Sequence, residues 1–239
     1  MSALALEIKD LHAWYGESHI LHGVNMTVPK GSVVTLLGRN GAGRTTTMRA
    51  MLGLTGSRKG SVRIHGAEAI NLPTHKIAHL GMGYCPEERG IFSSLSCEEN
   101  LLLPPPLKNN TAASNVMSLD EIYAMFPNLK ERRNSPGTRL SGGEQQMLAV
   151  ARILRTGADI LLLDEISEGL APVIVQALAR MITTLKQKGL TIIMVEQNFH
   201  FAAPLADHFY VMEHGEIVEA FPAAQLTAKQ DTLNALLGV

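Results

Sequence analysis

Apolar and polar residues alternate along the first third of the chain, in the pattern that half-buried β-strands show. The segment LALEIKDLHAWYG begins this pattern, and the segments ILHGVNMTV at 20–28 and GSVRIHG at 60–66 continue it. Between them the turn PKG at 29–31 leads into SVVTLLG, an apolar run typical of a strand buried on both faces. This part of the chain is therefore predicted to be rich in β-strands, with one strand fully buried.

Strand and helix patterns alternate after about residue 140. The apolar segments ADILLLD, LTIIMVE, HFYVMEH and GEIVEA predict strands. Apolar residues recur at helical spacing before and between these strands, at 143–155, 172–188 and 198–206. Earlier in the chain, TTTMRAMLGL predicts a helix that ends at Gly53 or Gly56. The alternation favours an α/β fold with a mostly parallel sheet and flanking helices.

The composition changes between about residues 88 and 140. This stretch has a capping-box signal at 96–99, the break PPP at 104–106, the polar segment KNNTAASN and the helical pattern SLDEIYAMFPNLKERR. It predicts a helical subdomain inserted into one domain, whose core would comprise residues 1–87 and 141–239.

The overall charge is balanced, with 21 Lys and Arg against 22 Asp and Glu, so no global field favours nucleic acid as a partner. The two cysteines, Cys85 and Cys97, are not in C-x-x-C spacing, which predicts a reducing compartment and no zinc site. The N-terminus lacks the features of a signal peptide, and no run approaches the roughly 20 apolar residues of a membrane span. We therefore expect a cytoplasmic protein that reaches a membrane only through a partner.

The segment GRNGAGRT at 38–45 lies between the buried strand and the predicted helix, which is the context of a phosphate-binding loop. Its glycines let backbone N–H groups point at phosphates, and the helix adds its positive N-terminal end. Thr45 would place its hydroxyl on Mg²⁺, while Arg44 stands where the pattern has a lysine that reaches the β- and γ-phosphates. A glycine-rich turn without function is disfavoured by the flanking strand and helix. The predicted contacts to nucleotide are Gly38, Asn40, Gly41, Ala42, Gly43, Arg44, Thr45 and Thr46.

The strand pattern ILLLDE at 160–165 ends in two adjacent carboxylates. Successive side chains on a strand point to opposite faces, so the two acids can have separate roles. Asp164 can serve the Mg²⁺ ion, and Glu165 can orient a water for attack on the γ-phosphate. Acidic residues commonly end strands, so this signal gains its strength from the phosphate loop in the same chain.

The segment LSGGEQQ at 140–146 precedes the helical pattern MLAVARILR. Ser141, Gly142 and Gly143 form a helix start suited to an anion, although an ordinary capped helix is the simpler interpretation of this segment alone. With GRNGAGRT and ILLLDE in the same order, the chain resembles the ATP-binding-cassette ATPases over essentially its whole length.

The resemblance implies a P-loop NTPase core, with an antiparallel β subdomain and the inserted helical subdomain. It also implies that LSGGEQQ at 140–146 is the family's signature segment. Two cassettes would pair head to tail, so that the signature of one closes over the ATP held by the other. Ser141, Gly142, Gly143 and Glu144 would then act on the partner's nucleotide. The implied cofactors are ATP and Mg²⁺, and the implied activity is ATP hydrolysis coupled to transmembrane transport.

Three further positions match the family pattern. Tyr15 lies where an aromatic stacks on adenine, although the neighbouring Trp14 is an alternative. Glu87, in YCPEERGIF, lies at the Q-loop that senses the γ-phosphate side and contacts the transmembrane partner. Gln197, in MVEQN, lies at the switch-histidine position. The resemblance thus implies catalytic roles for Glu165, Gln197 and Glu87 and metal-binding roles for Thr45, Asp164 and Glu87.

Glu87 and Gln197 depart from the general family pattern and are similar to one subgroup, the LivF-type cassettes of branched-chain amino acid importers. The segments SEGLAP at 167–172 and GIFSSLSCEENLLLP at 90–104 are similar to the same subgroup. Cassettes of urea and amide importers are an open alternative. The implied partners are a second cassette, identical or different, integral-membrane permease subunits and, indirectly, an extracytoplasmic solute-binding protein. The implied location is the cytoplasmic face of the inner membrane.

Two residues depart even from the subgroup: Arg44 replaces the loop lysine, and Ile166 replaces a proline after the catalytic glutamate. Arginine is a longer planar fork, so its exchange for lysine in a tight backbone nest is not conservative. We expect ATP binding to be retained and turnover to be lower than in an Arg44→Lys variant. A regulatory cassette that binds ATP without useful hydrolysis is the alternative. A soluble cassette acting on DNA or translation is disfavoured, since the chain has neither tandem cassettes nor a long coiled-coil insertion.

Overall fold

The computed structural model describes residues 3–107 and 115–238, which form two β-sheets and the helices packed on them. The part of the predicted polar segment at 108–114 lies outside the described residues. In chain order the elements are β1 (Leu4–Tyr15), β2 (Ser18–Pro29), β3 (Val33–Leu37), α1 (Arg44–Met51), β4 (Ser57–Ile64), β5 (Ala67–Glu68), α2 (Thr74–His79), β6 (Met82–Cys85), α3 (Cys97–Leu102), α4 (Leu119–Met125), α5 (Pro127–Glu131), α6 (Gly142–Leu154), β7 (Ile160–Asp164), α7 (Pro172–Gln187), β8 (Thr191–Glu196), α8 (Phe199–Ala202), β9 (His208–Glu213), β10 (Glu216–Pro222) and α9 (Gln230–Leu237).

The smaller sheet is antiparallel, in the order β2-β1-β4-β5. Strand β4 begins at Ser57, three residues before the predicted start at 60, because Ser57 pairs with Trp14 at the end of β1. The pairing shifts register at Gly60, where φ is 105° and a Cβ would lie 2.1 Å from the carbonyl oxygen of Asp10. Only glycine fits this close approach of the two strands.

The larger sheet has the order β10-β9-β3-β8-β7-β6, and all its pairs are parallel except β10 with β9. The predicted α/β class, with a mostly parallel sheet and an antiparallel portion, is confirmed. Strands β3, β7 and β8 are buried throughout, as their continuous apolar runs predict. Strand β6 was not predicted, because it is four residues long and includes Gly83, against which Ile153 of α6 packs.

The helical patterns of the middle region differ from the predictions at one point. The capping box at Ser96 begins α3 as predicted. The pattern SLDEIYAMFPNLKERR, by contrast, forms two helices, because Pro127 cannot continue α4 and instead begins α5. Near the C-terminus the predicted helix at 198–206 shortens to α8, and helix α9 was not predicted at all.

Two hydrophobic clusters cover the two faces of the larger sheet. Val33 and Leu37 of β3 pack with the helical side, whereas Val34 and Leu36 pack toward the smaller sheet and α1. Alternate residues of one strand thus serve different cores. Because both faces are covered, ligands are expected at the carboxyl ends of the parallel strands, where the loops after β3, β7 and β8 meet. Among the described residues, none of the helices is long and apolar enough to cross a membrane.

Candidate functional site

The loop between β3 and α1 surrounds an open cavity of about 480 Å³. A Cβ at Gly38 would lie 2.5 Å from the carbonyl oxygen of Met212, so the loop can leave β3 only without a side chain there. Gly43 has φ 107° and begins α1, with its carbonyl accepting from the Thr47 N–H at 2.8 Å. The cavity is lined by Ile20, Asn40, Gly41, Ala42, Gly43, Arg44, Thr45, Thr46, Glu87, Glu165 and Glu168.

Arg44 is buried, with 4% of its surface exposed. Its Nη2 donates to Glu165 Oε1 at 2.7 Å and to Asn40 Oδ1 at 3.2 Å. Its Nη1 is also buried and has no hydrogen-bond partner among the described residues. A buried donor without an acceptor is costly, so the hydrogen bonds of the Arg44 guanidinium are incomplete in this position.

Glu165 follows the last residue of β7 and has a left-handed backbone, with φ 48°. This conformation is unusual for a residue with a side chain and is typical of functional positions. Burial, followed by a hydrogen bond with Glu168, raises the pKa of Glu165 to about 7, although the charge of Arg44 opposes both effects. A carboxylate that titrates near neutral pH is suited to accept a proton.

Asp164 is fully buried at the end of β7, and each of its carboxylate oxygens has its own donor. The Thr45 hydroxyl donates to Oδ1 at 3.1 Å, and the Tyr84 hydroxyl donates to Oδ2 at 3.0 Å. Burial raises the pKa of Asp164, while these two hydrogen bonds lower it. The two adjacent acids therefore have separate partners, Asp164 beside Thr45 and Glu165 beside Arg44.

The oxygens at this edge of the cavity fit a magnesium ion. A hydroxyl and a carboxylate, from Thr45 and Asp164, lie in hydrogen-bond contact, and the exposed Glu87 lines the same cavity. No group of three or more His, Cys, Asp or Glu residues in the described part of the chain could hold a metal by itself. Mg²⁺ is usually held by one or two carboxylates together with waters and phosphate oxygens, which is the arrangement available here.

A second cavity, of about 360 Å³, lies beside the first and also includes Glu165 and Glu168. The exposed Gln197 lines this second cavity and Glu87 lines the first, so Glu165 borders the cavities of both residues. Ile166 is fully buried in the core and contributes to neither cavity.

Glu196 was not selected from the sequence, although it ends a buried strand directly before Gln197. Its side chain is 1% exposed and accepts from the Ser167 hydroxyl at 2.7 Å and from the Ser167 N–H at 3.3 Å. Burial raises the pKa of Glu196 to about 7. The sequence could have indicated Glu196, because an acidic residue ends the apolar segment LTIIMVE there. The functional role was assigned to the next residue, Gln197, instead.

The two aromatic candidates for adenine have different surroundings. Trp14 stacks on His19, with ring centroids 4.3 Å apart and planes at 10°, and the Lys59 ammonium lies 5.6 Å from the Trp14 ring centroid. Tyr15 is 38% exposed. Trp14 is therefore engaged within the smaller sheet, and Tyr15 presents the freer ring.

The signature residues begin α6 as a capping box. Ser141 Oγ accepts from the Glu144 N–H at 3.3 Å, and Glu144 Oε2 accepts from the Ser141 N–H at 2.7 Å. Ser141 and Gly142 are exposed, whereas a Cβ at Gly143 would lie 2.7 Å from Ile174 Cγ1. None of these four residues lines the cavity of this chain's own phosphate loop.

Residues 21–168 match the protein family described as ABC transporter. A relative from Pseudomonas aeruginosa, the high-affinity branched-chain amino acid transport ATP-binding protein BraG, is 39% identical over 233 residues, covering 98% of this chain and 99% of the relative. The lipopolysaccharide export system ATP-binding protein LptB from Haemophilus influenzae is 31% identical over 239 residues, covering 100% of this chain and 98% of the relative.

Solved structures share the fold. A nucleotide-free ATP-binding cassette from an ABC transporter superposes with a TM-score of 0.83 at 21% identity, covering 99% of each chain. A dimeric cassette in a post-hydrolysis state with ADP and phosphate superposes with a TM-score of 0.78 at 21% identity, covering 91% of this chain and 98% of the other. These similarities confirm the predicted cassette fold.

Proposed function

The chain belongs to the ABC transporter family of ATP-binding cassettes, and we propose that it hydrolyses ATP with Mg²⁺ as half of a cassette dimer that drives a membrane permease. The observation that carries this proposal is the convergence of Arg44, Thr45 and Glu165 on one cavity at the phosphate loop, with the buried Asp164 hydrogen-bonded to Thr45. These groups supply a cation for phosphate, a proton acceptor and oxygen ligands for a metal.

The proposed chemistry follows from the role of each side chain. The loop N–H groups and Arg44 would hold the β- and γ-phosphates, and Thr45, Asp164 and Glu87 would hold Mg²⁺. The bound ion would neutralise charge on the phosphate oxygens. Glu165 accepts a proton from water as the water oxygen bonds to the γ-phosphorus and the bond to the β–γ bridging oxygen breaks, which releases ADP.

The residues at the rim would complete the reaction. Gln197 lies beside Glu165 and would contact the γ-phosphate side. The exposed Ser141 and Gly142, with the half-buried Glu144 and the buried Gly143, would close over the nucleotide of a second cassette, and Tyr15 would stack on adenine. Glu87, exposed at the cavity, would transmit closure to a permease subunit at the cytoplasmic face of the membrane.

We propose branched-chain amino acids as the transported substrates. The support is the name of the BraG relative and its higher identity than that of the LptB relative, 39% against 31%. Expression with permease and solute-binding subunits from the same genome should then give ATP-dependent uptake of leucine, isoleucine and valine into vesicles. Uptake of urea or an amide in place of leucine would assign the chain to the alternative importer class.

Hydrolysis is tested by single-turnover release of the γ-phosphate from the assembled complex. We expect release by the unmodified protein and none by Glu165→Gln, because the amide cannot accept the proton. Glu216→Gln, at an exposed position of β10 away from the cavity, is the matched control and should leave release unchanged. ATP binding without any release by the unmodified protein would favour a regulatory cassette instead.

A further inference from the structure

Tyr84 is a half-buried residue near the end of β6, three positions before Glu87, and none of the roles proposed above is assigned to it. Its hydroxyl donates to Asp164 Oδ2 at 3.0 Å across 80 positions of sequence. It is thus the second donor to the carboxylate whose other oxygen faces Thr45.

The parallel pairing of β6 with β7 explains this contact. Tyr84 lies opposite Leu162, and alternate residues of a strand share a face, so Tyr84, Leu162 and Asp164 project to the same side of the sheet. The ring packs beside the cluster that contains Leu162, and its hydroxyl reaches forward to the end of β7. The strand register therefore fixes the position of the phenol.

The direction of the Tyr84 proton follows from the chemistry of its partner. A carboxylate oxygen accepts hydrogen bonds, and a phenol has a single hydrogen to donate. The Tyr84 hydrogen is therefore directed to Asp164 Oδ2, as the 3.0 Å contact requires.

The consequence is an Asp164 carboxylate that cannot rotate freely. Tyr84 occupies Oδ2, which leaves Oδ1 beside the Thr45 hydroxyl at the phosphate-loop cavity. A hydrogen-bonded partner of this kind orients a ligating carboxylate and tunes its affinity for metal. We infer that Tyr84 is a positioning residue that aims Asp164 Oδ1 at the magnesium site, an inference that rests on the proposed function.

The test compares Tyr84→Phe with Tyr123→Phe, each made in Glu165→Gln so that nucleotide is not consumed. Tyr123 donates to Glu98 Oε2 at 2.7 Å in the helical region, so its variant also loses a hydrogen bond from a phenol to a carboxylate, but away from the site. Binding of a fluorescent ATP analogue is measured with EDTA and then over a Mg²⁺ titration. Mn²⁺ in place of Mg²⁺ allows bound metal to be counted directly by electron paramagnetic resonance.

We expect Tyr84→Phe to raise the half-saturating Mg²⁺ and Mn²⁺ concentrations about tenfold, the lower end for loss of an outer-shell partner. Affinity with EDTA should stay unchanged, and Tyr123→Phe should change neither quantity. Unchanged metal dependence in a folded Tyr84→Phe protein, or an equal loss of affinity with and without metal, would overturn the inference. A parent protein that binds no nucleotide at all would instead overturn the proposed function.

A second variant keeps the test decisive if Tyr84→Phe does not fold. Tyr84→Met keeps an adaptable apolar side chain opposite Leu162 and also lacks the hydroxyl. The ratio of Mg²⁺-bound to metal-free affinity should fall in the same direction, and a ratio equal to that of the parent would count against the role of Tyr84.

Discussion

The guanidinium of Arg44 donates to two acceptors, Glu165 at 2.7 Å and Asn40 at 3.2 Å, and its buried Nη1 has no hydrogen-bond partner among the described residues. In this arrangement the side chain that should bind phosphate also occupies the carboxylate that should accept a proton from water. Moving Arg44 fully to the phosphates would leave Glu165 without its cation, and its pKa would rise further. Either geometry slows the proposed reaction.

We predict that Arg44→Lys increases turnover of the assembled complex about tenfold while changing the ATP dissociation constant by less than about threefold. A lysine ammonium is a compact charge without a second prong, so it can meet phosphate without bridging to Glu165 as a planar fork does. Steady-state kcat and equilibrium ATP binding are measured side by side. Arg39→Lys, an exposed change in the same loop, is the control. Equal or higher turnover in the unmodified protein would show that arginine fits this site.

A second prediction at this scale separates the two aromatics. Tyr15→Ala should weaken ATP binding about tenfold, since base stacking contributes about 1–3 kcal/mol, and should leave the melting temperature almost unchanged because the ring is exposed. Trp14→Ala should lower the melting temperature instead, because it removes the stack on His19. Weaker ATP binding in Trp14→Ala, together with a lower melting temperature in Tyr15→Ala, would assign adenine stacking to Trp14.

At the scale of elements, Glu196 joins the end of β8 to the loop after β7 through Ser167. This link connects the strand that directly precedes Gln197 with the loop that begins at Glu165. Because burial raises the Glu196 pKa to about 7, the folded protein binds this proton more tightly than the unfolded chain does. The stabilising contribution is therefore complete below the ordinary carboxyl pKa and is lost as pH rises through about 7.

We predict that Glu196→Gln becomes progressively more stable than the unmodified protein between pH 5 and pH 8, because an amide retains an acceptor for Ser167 and never ionises. Each unit of pKa shift corresponds to about 1.4 kcal/mol, so the difference is at most a few kcal/mol. Urea unfolding at several pH values measures it. The free energy of unfolding of Glu216→Gln should change with pH in parallel with that of the unmodified protein. A parallel pH dependence for Glu196→Gln would contradict the prediction.

The elements that could be predicted were those with a long local pattern. Buried strands such as β3 and β8 are continuous apolar runs, and α6 carries its own capping box. Strand β6 has four residues with no periodicity, and it forms only because β7 and α6 provide partners. Pro127 could have predicted the break between α4 and α5, but the helical pattern continues on both sides of it, so one helix was predicted.

The same contrast between local patterns and long-range contacts applies to the candidate site. Its motifs are local, so the phosphate loop and the acidic pair were predicted by residue number. The contacts between them were not, because Arg44 and Glu165 are 121 positions apart and Tyr84 and Asp164 are 80 apart. Such pairs depend on which strands are neighbours and in what register, and neither follows from a local pattern.

At the scale of the whole molecule, the signature lies away from this chain's own phosphate-loop cavity. Ser141 and Gly142 are exposed at the start of α6 and do not line the cavity at the phosphate loop. If the signature acts on ATP, it must act on the ATP of another cassette. The two glycines also have different constraints: Gly143 packs tightly on Ile174, whereas a Cβ at Gly142 would make ordinary contacts with the Arg89 guanidinium at 3.4 Å and beyond.

This difference allows a test that separates folding from assembly. In Glu165→Gln with ATP and Mg²⁺, we predict a dimer by sedimentation, because bound nucleotide accumulates between the cassettes. Adding Gly142→Asp should abolish the dimer by placing a negative charge against phosphate while leaving the melting temperature unchanged, since Arg89 can accommodate the new side chain. Thr138→Asp, at an exposed position near the signature, should leave the dimer intact.

The outcome also distinguishes the two kinds of partner. If Glu165→Gln remains monomeric alone and dimerises only with a different cassette, the completing signature belongs to a second chain, and Gly142→Asp should then abolish that mixed dimer. If Gly142→Asp and its parent dimerise equally in every mixture, the signature does not meet the nucleotide. The ATP site would then be complete within one chain, and the head-to-tail arrangement would be wrong for this protein.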